Sequence, residues 1–235
     1  MALKVAVINF SGNVGKSTVS KHLLQPRMGD CDIIAVETIN SDDQTDGHVK
    51  GKQFGHIIEA MSLMDNVIVD IGASNVETLI LQMKQYKGSH EDFDLFIIPT
   101  TPIKKQQRDT ISTIEALREI GVPAKKIRVL MNMVPVDERP ETVFAGLFAM
   151  QEADKSFILN PKAVMHESEL YPLIAGKDIT IRGAIEDQTD YKALANATPK
   201  DNVEEKIRLN GLLSIKRLAS GIVDELDAAF KALTK

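Results

Sequence analysis

Residues 5–24 read VAVINFSGNVGKSTVSKHLL, and this stretch restricts the architecture more than any other. An apolar run of β-formers breaks at Gly12, Asn13 and Gly15, meets Lys16-Ser17-Thr18, and resumes with apolar residues at helical spacing. A buried strand that passes through a glycine loop into a helix opens a βαβ unit, and such units build parallel sheets covered by helices. The loop itself has a chemistry. Backbone N–H groups that converge at a helix start, aided by the helix dipole, attract an oxyanion. Gly12 and Gly15 let the chain wrap tightly, Lys16 adds a point charge, and the Ser17 hydroxyl can ligate magnesium. A Gly-Asn pair alone makes ordinary turns; strand, glycine loop, Lys-Ser-Thr and helix in that order make a phosphate loop.

The rest of the chain continues the alternation. Strands are expected at 5–10, 32–38, 66–70, 93–99 and 127–131, with helices at 16–24, 53–64, 76–84 and 110–120. The last of these helices repeats Ile111, Ile114, Leu117 and Ile120 and closes on Gly121. Beyond Pro135 the periodicity predicts a helix over 141–152, a short strand over 156–159 and a helix over 164–175. The pattern as a whole is α/β, with a mostly parallel central sheet and helices on both faces.

Pro199 marks a polar turn into a final amphipathic helix, about 201–234, with Leu212, Ile215, Ala219, Ile222, Leu226, Ala229 and Leu233 on one stripe. Asp224, Glu225 and Asp227 dilute the basic face that an anionic membrane would select, so docking of this helix onto the domain is expected rather than membrane anchoring. The 235 residues suit one domain.

Composition narrows the function classes. With 33 acidic and 28 basic residues the net charge is −5, which disfavours indiscriminate attraction to a polyanion. Lys104, Lys105, Arg108, Lys125, Lys126 and Arg128 cluster in sequence, so a local DNA-contacting patch stays open. The single cysteine, Cys31, cannot form an internal bridge and suits a reducing cytoplasm. No stretch approaches the roughly 18 apolar residues that a membrane span needs. The five histidines (22, 48, 56, 90 and 166) show no zinc-site spacing.

Asp70 closes the apolar run NVIVD, where a carboxylate at a strand's C-terminal end can hold magnesium, directly or through water, beside the loop. Capping of the helix that begins near Asn75 is the alternative role.

The loop resembles the deviant Walker motif x-K-G-G-x-G-K-[ST] of the ParA and MinD ATPases, with Phe10 at its free first position and Asn13 in place of the second glycine. Phrases such as FDLFIIPTTP (93–102) and the order of elements extend the likeness over most of the chain. VINFSGNVGKST with AVETINSD resembles, more narrowly, the StbB-type plasmid stability proteins.

The resemblance implies a three-layer P-loop NTPase that binds ATP and Mg2+, with Ser11, Gly12, Asn13, Val14, Gly15, Lys16, Ser17 and Thr18 around the phosphates. Ser17 and Asp70 would serve the metal, and Lys16, Asp70 and a switch residue catalysis. The second switch falls in VETINSDDQ, in place of D-x-D-P-Q; Asp42 is assigned to the attacking water, with Glu37 as the runner-up and Asp43 also available. Asn132 matches the position that reads the adenine edge, and the absence of N-K-x-D after it favours ATP over GTP. The resemblance further implies a nucleotide-dependent homodimer, a plasmid-encoded DNA-binding adaptor (StbA-like) as partner, a cytoplasmic location, and a role in plasmid stability, partition and conjugative transfer.

Ser11 departs from the motif. Relatives carry there the lysine that reaches a dimer partner's phosphates, so weak intrinsic hydrolysis is expected unless Lys104, Lys105 or Arg108 supplies the charge. In related phosphoryl-transfer enzymes a trans-acting arginine contributes about 10³ to 10⁵ in rate. Two other readings stay open: a small-molecule ligase or kinase similar to dethiobiotin synthetase, and a nucleotide-binding scaffold that does not hydrolyse.

Overall fold

The computed structural model describes residues 2–36 and 54–235, so Glu37, Asp42, Asp43 and His48 lie outside the described residues. Strand β1 (Leu3–Val7) leads through the loop into a helical segment, α1, that starts as an α-turn (Lys16–Thr18), widens to π geometry (Val19–Leu24) and tightens at Gln25–Arg27. Then follow β2 (Asp32–Val36), α2 (Phe54–Ser62), β3 (Asn66–Ile71), α3 (Val76–Gln85), β4 (Leu95–Thr100), α4 (Lys104–Glu119) and β5 (Ile127–Val134). The chain continues with α5 (Pro140–Val143), α6 (Ala145–Asp154), β6 (Ile158–His166), α7 (Leu170–Ile174), α8 (Ile181–Glu186), α9 (Tyr191–Ala197) and α10 (Val203–Thr234).

The six strands form one sheet in the order β2-β3-β1-β4-β5-β6, and every pairing is parallel. Helices surround it, giving the expected three-layer α/β architecture. β4 is buried along its whole length and β3 from Val67 onwards, which is why both read as continuous apolar runs rather than as alternation. Their side chains, with Phe54 and Phe93, build the core.

The chain steps from β1 outwards to β2, back to β3, and across β1 to β4, so the direction of winding reverses at β1. A crevice forms at such a switch point, outside the carboxyl ends of the strands, and the loop after β1 opens there. The register pairs Val7 of β1 with Asp70 of β3, which brings that carboxylate to the same edge.

The chain divides into two compact units, residues 1–167 with 227–235, and residues 168–226. In the second unit, Thr180 caps α8 by accepting from the Gly183 amide at 2.9 Å, and Asp190 caps α9 by accepting from Ala193 at 2.9 Å. Along α10, Ile215, Ala219, Leu226, Ala229 and Leu233 of the expected stripe are buried. Its last turns belong to the first unit, where Asp227 accepts from Arg27 of α1 at 2.7 Å. Among the described residues no helix is long and apolar enough to cross a membrane.

Two expectations after Pro135 are corrected. The helix expected over 164–175 is strand as far as His166 and helical only over Leu170–Ile174. The strand expected over 156–159 starts at Ile158 and extends to that same His166. Ala163 and Met165 turn inwards while Val164 pairs beside Met131, a period of two that sheet pairing selects over the helical one. Pro161 obscured this, and it is tolerated because β6 is the edge strand, with an irregular register against β5.

Burial of His22 on α1, with Lys21 beside it, holds the imidazole below its ordinary 6.5. The unfolded chain then takes up a proton from pH 6.5 downwards before the folded one does, so this group's contribution to stability is lost as pH falls from 6.5 through the lowered folded value. Urea midpoints at pH 7.5 and 5.5 should therefore converge in His22→Asn relative to the parent; an equal acid loss in both proteins would show that His22 is not responsible.

Candidate phosphate-binding site

The site starts where β1 runs out. Asn9, fully buried, donates from its amide to the carbonyl of Pro99 and to the hydroxyl of Thr110, each at 2.9 Å, and accepts from the Ser11 amide at 2.8 Å. The loop therefore leaves the sheet anchored to β4 and α4. Asn13 sits at φ 56 and Gly15 at φ 81, both left-handed. Asparagine is among the few side chains that take this conformation readily, which explains its presence where the motif has glycine. A Cβ at Gly12 would meet no protein atom within 4 Å. Among the described residues no backbone acceptor takes the N–H groups of Gly12, Asn13 or Val14.

Lys16 is buried and extends over the loop, donating to the carbonyls of Ser11 at 2.7 Å and Asn9 at 3.2 Å. Burial lowers its pKa and the charge of Asp70 opposes that shift. Its hydrogen-bond partners are neutral, so its positive charge is held at the loop for an anion. Asp70, also buried, lies close enough to Lys16 to act on it. Gly72 and Asn75, the N-cap positions of the turn at Ala73–Asn75 and of α3, make no side-chain cap hydrogen bond. Beyond Asp70, the Gly72 amide donates to the Val36 carbonyl at 2.9 Å and the Asn75 amide side chain donates to the same oxygen at 3.1 Å, tying the segment after β3 to the end of β2.

Ser17 is exposed, Thr18 half-buried and Val14 buried. Among the described residues no group of three His, Cys, Asp or Glu could hold a metal. Magnesium uses one or two protein oxygens beside phosphates and waters rather than an all-protein cage. Ser17 and Asp70 are the protein oxygens that could do so here. The buried cation, the loop amides that no described backbone acceptor takes, and the wrapped glycine turn together fit a phosphate tail.

Asn132 stands at the end of β5 and is buried, and its amide donates to the Val14 carbonyl at 2.9 Å. The following Met133 has φ 55, and the register of β5 against β6 shifts between Met131 and Val134. Such irregularities re-aim side chains next to functional sites, and this one places Asn132 beneath the loop. A Cβ on Gly15 would lie 2.4 Å from the Asn132 nitrogen.

Sequence reasoning offered Lys104, Lys105 and Arg108 of α4 but missed the polar contacts by which this helix holds the loop. The Ser11 hydroxyl donates to Asp109, Gln106 donates to the Gly12 carbonyl at 3.2 Å, and the Phe10 amide donates to Thr113 at 3.1 Å. Asn9 carried a usable signal, a lone amide in an apolar strand; Asp109, 98 positions from Ser11, carried none. A cavity of about 490 Å3 lies alongside, lined by Phe10, Ala73, Ser74, Glu77, Asp109 and Ser112.

The six basic residues do not make one patch. Lys104, Lys105 and Arg108 begin α4, after the carboxyl end of β4, whereas Lys125, Lys126 and Arg128 enter β5 at the amino ends of the strands. Lys126 also donates to the carbonyls of Glu91 and Phe93 at 3.1 and 2.6 Å. In the second unit a cavity of about 370 Å3 contains Lys216, whose ammonium is taken by the carbonyls of Asp187 and Thr189.

No family model matches the chain, and no curated protein does. Solved structures do. Apo McdA of Cyanothece is similar at 13% identity, over 91% of this chain and 98% of that one, with a TM-score of 0.52. The MinD cell division protein of Aquifex aeolicus is similar at 14% identity, over 100% of this chain and 98% of that one, with a TM-score of 0.51. With its parallel sheet, its loop at the switch point and Lys16 opening the helix that follows, the chain has the three-layer P-loop NTPase fold seen in McdA and MinD.

Proposed function

We propose that the protein is an ATP-binding molecular switch of the ParA/MinD kind, acting in plasmid stability, partition and conjugative transfer together with a plasmid-encoded DNA-binding adaptor (StbA-like). The observation that carries this reading is the buried Lys16 ammonium, held by neutral carbonyls beside Asp70 and next to loop amides that no described backbone acceptor takes. Bound ATP with Mg2+ supplies a γ-phosphate whose presence or loss can order or release the segments after β2 and β3. The chain's own part is to hold that tail: Gly12 to Thr18 present N–H groups, Lys16 supplies charge, and Ser17 and Asp70 face the metal. Asp70 passes the outcome to the Gly72–Asn75 segment that follows it. Asp42 orients the attacking water, with Glu37 as the runner-up through a water-mediated contact to magnesium, and Asn132 contributes to the choice of ATP. The ATP-bound form is a homodimer in the cytoplasm.

The non-hydrolysing scaffold is the second reading, and one contact favours it: the Ser11 proton is given to Asp109, which leaves that hydroxyl no proton to offer a phosphate. Sizing with and without ATP and magnesium, and single-turnover assays with the adaptor present, separate the readings. A nucleotide-dependent dimer with turnover supports the switch, and a dimer without turnover supports the scaffold.

Lys16→Ala tests the site itself. It removes a charged contact of about 1.5–3 kcal/mol, so ATP affinity should fall roughly tenfold or more in a fluorescent-nucleotide titration. Unchanged affinity would overturn the assignment.

A further inference from the structure

We propose that Lys105 is a triphosphate-binding residue, and that Asp109 is the positioning residue that holds it beside the phosphate loop, so that the start of α4 tells a nucleoside triphosphate from a diphosphate. This deepens the nucleotide reading above and rests on it.

Ser11 is held on three sides. Its amide donates to Asn9, its carbonyl accepts the Lys16 ammonium at 2.7 Å, and its hydroxyl donates to Oδ2 of Asp109. That same Oδ2 accepts from the Lys105 ammonium at 3.2 Å. Two cations thus flank one buried loop residue, Lys16 through its carbonyl and Lys105 through the carboxylate bonded to its hydroxyl. The arrangement is anchored, because Gln106, Thr110 and Thr113 on the same helix bond Gly12, Asn9 and Phe10.

The lysine of such a loop reaches the β- and γ-phosphates. Its ammonium here lies against Ser11, so the Ser11 side of the loop faces the end of the phosphate tail. A carboxylate at that place repels the tail unless it is neutralised. Asp109 is held below the usual carboxylate range by the Ser11 hydroxyl first and by Lys105 after it, with burial opposing. It therefore carries its charge at neutral pH, and Lys105 offsets it. An i,i+4 pair on an open surface contributes little, but this one shares its oxygen with a buried loop residue. The Lys105 side chain is 75% exposed and Asp109 28%, so the ammonium has donors left to offer a phosphoryl oxygen while it stays beside the carboxylate.

The test is titration of the full chain, with magnesium, against a fluorescent non-hydrolysable ATP analogue and the matching ADP analogue. Lys105→Ala should lower triphosphate affinity about fivefold, one screened charge, while leaving ADP affinity within about twofold. Lys105→Arg should restore most of the loss, and Lys104→Ala should change either ligand by less than about twofold. In an Asp109→Asn background the effect of Lys105→Ala should shrink to less than about twofold, because the positioning group is gone. Equal losses for both nucleotides, or none, would overturn the role of Lys105, and additive effects would overturn that of Asp109. If the parent protein binds nucleotide in a Lys16-dependent way while Lys105→Ala is silent, this inference alone falls. Should the parent bind neither nucleotide, the site assignment falls with it.

Discussion

Gly15→Ala is expected to lower nucleotide affinity by about 30- to 150-fold, the sum of two physical conflicts worth roughly 2–3 kcal/mol. At φ 81 an alanine costs about 1–2 kcal/mol relative to glycine. Its Cβ would also stand 2.4 Å from the Asn132 side-chain nitrogen, which is buried and bonded to Val14 and so has no easy retreat. Displacing it gives up a hydrogen bond of about 1 kcal/mol and lets the loop unwrap. Fluorescent-ADP titration reads the loss. The double variant Gly15→Ala/Asn132→Ala removes the collision but keeps the backbone strain, so it should recover part of the affinity and no more. Parent-like binding by Gly15→Ala would mean that the wrapped loop is not the conformation that holds phosphate.

Phe96→Ala is expected to destabilise the first unit by about 3–5 kcal/mol, the cost of removing a large buried aromatic and leaving a cavity. Phe96 is fully buried on β4, between β1 and β5 in the sheet, and its ring lies 5.2 Å from that of Phe93. The neighbouring strands are hydrogen-bonded on both sides and cannot collapse into the space. Urea denaturation followed by circular dichroism should show a midpoint lower by about 1 to 1.7 M at a slope near 3 kcal/mol/M. A shift under about 0.3 M would show that the core around β4 is loosely packed. The site should follow the core, since Asn9 reaches the loop's anchor on β4 through Pro99.

Strands β1 to β5 and helices α1 to α4 were legible because each carries its own period or apolar run, and the phosphate loop because its parts are consecutive. Helix α4 begins at Lys104, well before the apolar repeat that announced it, because its first turns meet the loop with polar side chains: Gln106, Asp109 and Thr110. The short helices α8 and α9 have too few turns to display a period. Strand β6 hid behind Pro161 until pairing with β5 supplied its partner.

The order of residues alone determined that this chain builds a parallel sheet with a glycine loop between its first strand and first helix, since hydrophobic periodicity and backbone freedom act over a few neighbouring positions. Tertiary structure alone decided that Asn132 would brace Gly15 from below, that Asp109 would accept the Ser11 hydroxyl's hydrogen bond, and that six basic residues would separate to opposite ends of the strands. Hydrogen bonds and charges between positions about a hundred residues apart depend on strand order and register, and those are set only when the whole core packs.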